Sequence, residues 1–269
     1  MLKTVLIFVT IFFAHYSSAE DIDLFIIAGQ SNAQGWKGNG AYYPKDIAKI
    51  DKHIRFYWVT PTYSSSNGQW TTLKTQAGKF KQGHFGPEIT FARALQTNGF
   101  NPAVFKYTLG ATSIAKNWKL PGQKGMYDDM LADFRKARTL LENKGNNVRV
   151  RGFIWIQGES DAQNKTMAEA YYKKLKLIIK DIRMNLVGNP TLPVILGVDE
   201  QFPWIKLHPQ IVQAQKLLAK EDEHVIFTSM IGLEKADNTH LTPKGLADHG
   251  KRLFAAYIEL VKTNANKKY

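Results

Sequence analysis

From Asp21 onward, short and densely apolar runs alternate with longer segments whose apolar residues recur every three or four positions. The short runs Leu24–Ala28, Ile54–Val59, Ala103–Thr108, Arg151–Gln157, Val194–Val198 and Val225–Ser229 are rich in β-branched and aromatic residues and read as strands. Several are apolar at consecutive rather than alternate positions, the pattern of strands buried on both faces. The segments between them read as helices. One opens at Gly86-Pro87-Glu88, with proline at the first helical position and an acid beside the positive end of the helix dipole. Another is opened by a capping box, Thr166-Met167-Ala168-Glu169, and runs through Tyr171–Asn185. The last begins at Thr242-Pro243 and turns Leu246, Phe254, Ile258 and Val261 toward the sheet. Strands alternating with helices predict a three-layer α/β/α domain around a mostly parallel sheet. Ligands of such sheets bind outside the carboxyl ends of the strands.

The first nineteen residues stand apart from this pattern. Lys3 precedes an apolar run, Val5 to Ala14, that is about half the roughly twenty residues a bilayer span needs. Ser17 and Ala19 follow with the spacing of a signal-peptidase site, and the acidic stretch from Glu20 comes next. The expectation is a cleaved signal peptide over residues 1–19, no membrane span in the mature chain, and a periplasmic or extracellular protein. The rest, residues 20–269, carries no linker, repeat or low-complexity tract and reads as one domain. Its composition, 44% hydrophobic and 22% charged, is globular. The chain has no cysteine, so thiol nucleophiles, cysteine metal sites and disulfides are excluded. Net charge is +13, or +12 without Lys3. The lysines are scattered and no nucleic-acid motif accompanies them, so a solvated basic surface is expected rather than a nucleic-acid partner.

Four polar segments fall just past predicted strands. Ser31, in Gly29-Gln30-Ser31-Asn32, follows the first strand on a turn that glycine permits, and the next residues can open a helix that favours negative charge. Taken alone, a Ser-Asn pair after a strand is more often just the cap of a helix. Asp237-Asn238-Thr239-His240 follows the last strand. A serine hydroxyl needs a neighbouring base, histidine suits that work, and a carboxylate on its second nitrogen fixes the tautomer. The bland alternative is a turn capped by Asp237. Gly110-Ala111-Thr112-Ser113 and Gln157-Gly158-Glu159 follow two more strands. Gly110 can offer an open N–H, and Gln157 an amide, to an oxyanion; each could also be a turn glycine or a satisfied strand end. Together, nucleophile, donors and acid–base pair at one sheet edge point to a serine hydrolase.

In these residues and in their order, the sequence resembles the SGNH hydrolases. The Gly-Gln-Ser-Asn and Gln-Gly-Glu forms resemble the sialate O-acetylesterase and acetylxylan esterase branch, carbohydrate esterase family six. The resemblance runs from Asp23 to the final helix and implies a flavodoxin-like SGNH fold. It implies Ser31 as nucleophile, His240 as general base and then acid, and Asp237 as its orienter. Ser31 and Gly110 N–H groups with the Gln157 side chain would form the oxyanion hole. Gln30, Asn32, Thr112 and Glu159 are expected to support the site or touch substrate. The reaction implied is removal of acetyl groups from a carbohydrate through an acyl-serine, with no metal or cofactor. The second block reads Gly-Ala-Thr where Gly-Gly-Thr is often seen.

Two other readings stay open at this point. An SGNH lipase or thioesterase would need a longer apolar cleft, and a noncatalytic carbohydrate-binding protein would not need the full set of catalytic groups. His84, in Gly83-His84-Phe85-Gly86-Pro87, could reach the pocket mouth but suits a solvent-facing loop better. Trp36, Tyr42, Tyr43, Trp70, Trp118 and Trp204 sit largely in predicted loops, where about two are expected to stack on a sugar ring.

Overall fold

Strand β1 (Asp21–Gly29) has dry surroundings on both sides. Successive strand residues face opposite ways, so Ile22, Leu24, Ile26 and Ala28 enter one core with Phe105, Trp118 and Phe153. Phe25 and Ile27 enter a second with Ile89, Phe91 and Leu253. This arrangement is seen in a computed structural model that describes residues 19–266, so the expected signal segment lies, but for Ala19, outside the described residues.

Following β1 come α1 (Ser31–Gln34), β2 (Arg55–Thr60) and two short strands, β3 (Ser64–Ser65) and β4 (Thr71–Thr72). Then come α2 (Glu88–Thr97), β5 (Pro102–Thr108), α3 (Met126–Glu142), β6 (Asn147–Ile156) and α4 (Lys165–Asp181). The chain ends with β7 (Val194–Val198), α5 (Pro203–Leu207), α6 (Gln210–Glu221), β8 (Val225–Ser229) and α7 (Pro243–Asn266). The sheet order is β3-β2-β5-β1-β6-β7-β8, with β4 also on β2. All pairings from β2 across to β8 are parallel; β3 and β4 run antiparallel to β2. Strands β5, β1, β6, β7 and β8 stand in the flavodoxin-like order 2-1-3-4-5, and β2 adds a sixth parallel strand beyond β5. Helices α3, α4 and α6 cover one face and α2 and α7 the other. The order reverses at β1, so a crevice opens where the carboxyl ends of β5, β1 and β6 meet.

Packing around β1 is dense. The Phe25 ring lies edge-on to Phe91 at 5.4 Å and to Tyr257 at 5.1 Å between centroids. Truncating such a residue typically removes about 3–5 kcal/mol.

Three local expectations are corrected. Strand β6 starts at Asn147 rather than Arg151, because its exposed polar residues pair with β1: Arg149 lies 3.5 Å from Asp21, and Arg151 2.6 Å from Asp23. Helix α4 is capped by Asn164, whose Oδ1 accepts the Met167 N–H at 3.1 Å, so the Thr166–Glu169 box does not form. Pro87 is the cap residue of α2 rather than its first helical residue, while Glu88 does stand in the first turn, as expected. It is fully buried and paired with Lys106 at 2.7 Å, which offsets the desolvation of both groups.

Candidate active site

Gly29 makes the first turn possible. Its φ of +144° is open only to glycine, and a Cβ there would lie 2.0 Å from the Ile156 carbonyl oxygen. Strand β1 can therefore run tight against β6 and still release the chain outward at its end. Ser31 is the next residue but one and opens α1, a helix of only four residues that Gly35 ends in the left-handed conformation. The first N–H groups of a helix have no acceptor within it, so the Ser31 N–H points outward. Ser31 is 5% exposed, and what is exposed lines a pocket of about 460 Å³ shared with Gln34, Trp36, Thr62, Tyr63, Leu109, Gly110, Ala111 and His240.

Asn32 ties this turn to the loop after β8. Its Nδ2 donates to Thr239 O at 2.9 Å, and its Oδ1 accepts the Leu241 N–H at 3.1 Å. One buried amide thus grips the backbone on both sides of His240. The imidazole Nδ1 lies 2.9 and 3.0 Å from the two carboxylate oxygens of Asp237, which leaves Nε2 for the pocket. Partial burial by itself would push the pKa of Asp237 up. The N–H groups of Thr239 and His240, at 3.0 and 2.8 Å, and the His240 ring outweigh that and hold the carboxyl well below its ordinary range. Lys37 adds positive charge 3.4 Å from the same carboxylate.

Glu159 supports this loop from behind. Its Oε1 accepts the Asp199 N–H at 3.1 Å; Asp199 pairs with Lys235 at 2.6 Å; and Lys235 donates to Asn238 O at 2.7 Å. Burial, offset in part by that backbone bond, pushes the Glu159 carboxyl up to about 7.

The expected oxyanion donors are only partly brought together. Gly110 forms part of the pocket wall, but its N–H donates to Gln34 Oε1 at 2.8 Å. Gln157 is fully buried and does not line the pocket. Its Nε2 is drawn inward by Asp161 Oδ2 at 2.7 Å and Thr112 O at 2.9 Å, with Gln30 Oε1 at 3.3 Å. Gln30 and Thr112 are accordingly scaffold: Gln30 Oε1 also takes the Ser160 N–H at 3.4 Å, and Thr112 Oγ1 bridges Leu109 O and the Trp118 ring. Asp161, to which the sequence pattern assigned no role, also receives the N–H groups of Ile114 and Ala115 and so pins the loop after β5. Gln34 and Tyr63 are the other residues that pattern missed; neither sits in a segment that reads as chemistry.

Of the loop aromatics, Trp36 lines the pocket, with its ring centroid 6.4 Å from that of His240 and Lys79 Nζ 4.3 Å above it. Trp118 is core, 4.8 Å from Trp155 between centroids. Trp70 donates to Ala137 O and Tyr43 to Asp51, while Tyr42 and Trp204 are exposed away from the pocket. His84 is neither at the mouth nor in solvent. It is 3% exposed, pairs through its backbone with Gln76, and burial, assisted by Lys106, pushes its pKa down to about 3. A larger groove, about 930 Å³, lies at the amino end of β8, away from these residues; its Arg183 and Lys176 are paired with Asp222 and Glu221. Among the described residues, no group of three or more His, Asp or Glu is arranged to hold a metal ion. No helix among them is long and apolar enough to cross a membrane.

Comparison with known proteins extends the picture. A probable carbohydrate esterase of Arabidopsis thaliana is 25% identical over 257 residues, covering 87% of this chain and 90% of that protein. A crystal structure of an Arabidopsis thaliana protein superposes with a TM-score of 0.68 at 23% identity, covering 90% of this chain and 98% of that one. The structure of NanS superposes with a TM-score of 0.65 at 14% identity, covering 91% and 99%. Residues 21–259 match the family described as carbohydrate esterase, sialic acid-specific acetylesterase, and the chain belongs to that family of carbohydrate acetylesterases.

Proposed function

We propose that the protein removes O-acetyl groups from a sugar by a Ser31–His240–Asp237 acyl-enzyme mechanism. One observation carries this reading: Ser31 and His240 face a single pocket, and both oxygens of Asp237 lie within 3.0 Å of the His240 ring nitrogen that points away from it. Asp237 holds Nδ1 protonated, so Nε2 is the basic nitrogen. It takes the Ser31 Oγ proton as Oγ attacks the ester carbonyl carbon. The oxyanion forms beside the Ser31 N–H and the wall built by Gly110 and Gln34. When the carbon–oxygen bond to the sugar breaks, His240 returns the proton to the departing sugar hydroxyl and leaves acetyl-Ser31. Water, deprotonated by His240, then attacks the acetyl carbonyl; acetate leaves and Oγ regains its proton.

Trp36 and the exposed Tyr63 offer ring faces to the sugar at the mouth. Lys79 over Trp36 and Lys37 beside Asp237 make the mouth cationic. That charge supports an anionic sugar such as the sialic acid of the family description. The test is acetate release from a panel of O-acetylated sialic acids, xylan fragments and neutral sugars, run beside acetyl and octanoyl p-nitrophenyl esters. Release from at least one acetylated sugar, with acetyl preferred over octanoyl esters, is expected. Preference for octanoyl esters with no sugar deacetylated would replace this reading by a lipase-like one. The Lys3 to Ala19 pattern further supports export of the mature chain, which amino-terminal sequencing of the protein from its native host checks: a start near Glu20 is expected.

A further inference from the structure

Helix α1 is a single turn of four residues, too short to hold its shape without outside contacts. Where Ser31 stands therefore depends on what grips the two ends of that turn. At its start, the Gln30 N–H donates to Ile156 O at 2.9 Å, and the Asn32 amide reaches the His240 loop. Its end rests on a charge. The last carbonyls of a helix have no donor within it, and that of Gln34 accepts the Lys106 ammonium from β5 at 3.0 Å. Lys106 is fully buried and also donates to Glu88 Oε2 at 2.7 Å. Glu88 Oε1 in turn accepts the Gly86 N–H at 2.9 Å and Gln76 Nε2 at 3.0 Å. The three segments meet closely there. A Cβ placed on Gly86 would lie 2.6 Å from Glu88 Oε2, 2.7 Å from Ala33 O and 2.9 Å from Lys106 Nζ. Burying such a pair gains little stability over apolar residues of the same size, because desolvation cancels most of the attraction. What an apolar pair could not supply is a donor for the Gln34 carbonyl.

We propose that Lys106 is a positioning residue for the nucleophile: it fixes Ser31 by holding the carboxyl end of α1 through Gln34 O, and Glu88 is the counter-charge that allows its burial. This rests on the acyl-serine reading above. Gln34 passes the hold to the pocket wall, since its Oε1 accepts the Gly110 N–H at 2.8 Å. One ammonium thus ties the nucleophile turn to the loop after β5. Donor and charge separate by substitution. Lys106→Met removes the donor and leaves Glu88 buried without its partner. Glu88→Gln keeps an oxygen for the Gly86 N–H and removes the counter-charge. Burial, opposed by Glu88, already pushes the pKa of Lys106 down, yet its amine keeps a hydrogen for Gln34 O whether charged or neutral. Lys106→Met combined with Glu88→Gln lacks the donor but leaves no buried charge.

The experiment measures kcat and KM for p-nitrophenyl acetate in the wild type, Ser31→Ala, Lys106→Met, Glu88→Gln and the double variant, below the melting temperature that circular dichroism gives for each. Breaking a buried pair is costly, so each single variant of the pair is expected to melt at least about 5 °C lower. The double variant is expected to recover most of that drop. Turnover is expected to follow Lys106 instead of stability. Both proteins lacking it should lose about 10- to 100-fold in kcat with KM changed less than about threefold, while Glu88→Gln stays within about threefold of wild type. If the pair is scaffold only, kcat follows melting temperature. A double variant within about threefold of the wild-type kcat, or Glu88→Gln as slow as Lys106→Met, overturns the proposal. Should neither Lys106 variant fold, Glu88→Gln decides alone: a kcat loss of about tenfold or more overturns the proposal, and a kcat within about threefold of wild type upholds it. An inactive wild type, or an active Ser31→Ala, would remove the acyl-serine reading itself. An active wild type with an inactive Ser31→Ala confines any failure to Lys106.

Discussion

Asn32 holds the chain on both sides of His240 from the position next to the proposed nucleophile, so one residue fixes the distance between base and serine. Asn32→Ala loses both bonds and leaves a backbone N–H and carbonyl without their partners. A fall in kcat of about 10- to 100-fold is expected, since misplacing a catalytic group by about 1 Å has that effect. A stability loss of about 1–3 kcal/mol should accompany it. Steady-state kinetics and urea titration check both, and an unchanged kcat would mean the His240 loop is held by other contacts. Asp237→Asn removes the acceptor that orients Nδ1, and a kcat loss of at least about 100-fold is expected with KM little altered. Ser31, Asp237 and His240 were legible in the chain because each sits in a short pattern just past a strand. The inward turn of Gln157 and the bond between Gln34 and Gly110 were not legible. What a glutamine near a strand end touches depends on which acceptors and donors meet it in space. Asp161 lies four residues from Gln157, but Gly110 reaches Gln34 across 76 residues of chain.

The six parallel strands were readable as elements because a strand buried on both faces is apolar at nearly every position, as in Leu24–Ala28 and Val194–Val198. The edges read less well. Strand β6 begins in an alternating stretch, Asn147 to Arg151, whose partners are acids on β1 that only the register reveals. Trp118 looked like a loop aromatic since its neighbours are polar, yet the turn it occupies packs it on Trp155. Glu88 stands in the first turn of α2 as its helix-start pattern predicts, but its burial against Lys106 of β5 was not legible. Gly29 is where the elements depend most on one residue. Gly29→Ala sets a methyl 2.0 Å from Ile156 O at a backbone angle unfavourable to alanine, so β1 and β6 must separate. A loss of at least about 3 kcal/mol is expected in chemical denaturation. A change below about 1 kcal/mol would contradict the close approach of the two strands.

At the scale of the whole molecule, buried ionisable groups set the pH range of stability. Glu159 has its pKa raised from 4.5 to about 7, so between those values the folded protein keeps a proton that the unfolded chain has released. Stability therefore falls as pH rises through that window, and the loss is complete above it. His84 and His249 act on the other side: burial pushes both down to about 3, so stability is lost as pH falls below about 6.5. Glu159→Gln should remove the upper limb. Relative to this variant, the wild-type melting temperature is expected to drop by on the order of 5–10 °C between pH 5 and pH 8. Parallel curves would show that Glu159 does not titrate there. The same buried carboxylate anchors the loop chain that leads through Asp199 and Lys235 to His240, so fold and site share one support. All of this serves a claim about a single hydroxyl. The most direct test is release of acetate from an O-acetylated sugar by the wild type and by Ser31→Ala, with matched circular dichroism. The account predicts turnover by the wild type and a loss of at least about 1000-fold in the variant; a Ser31→Ala protein that deacetylates within tenfold of the wild-type rate would contradict it.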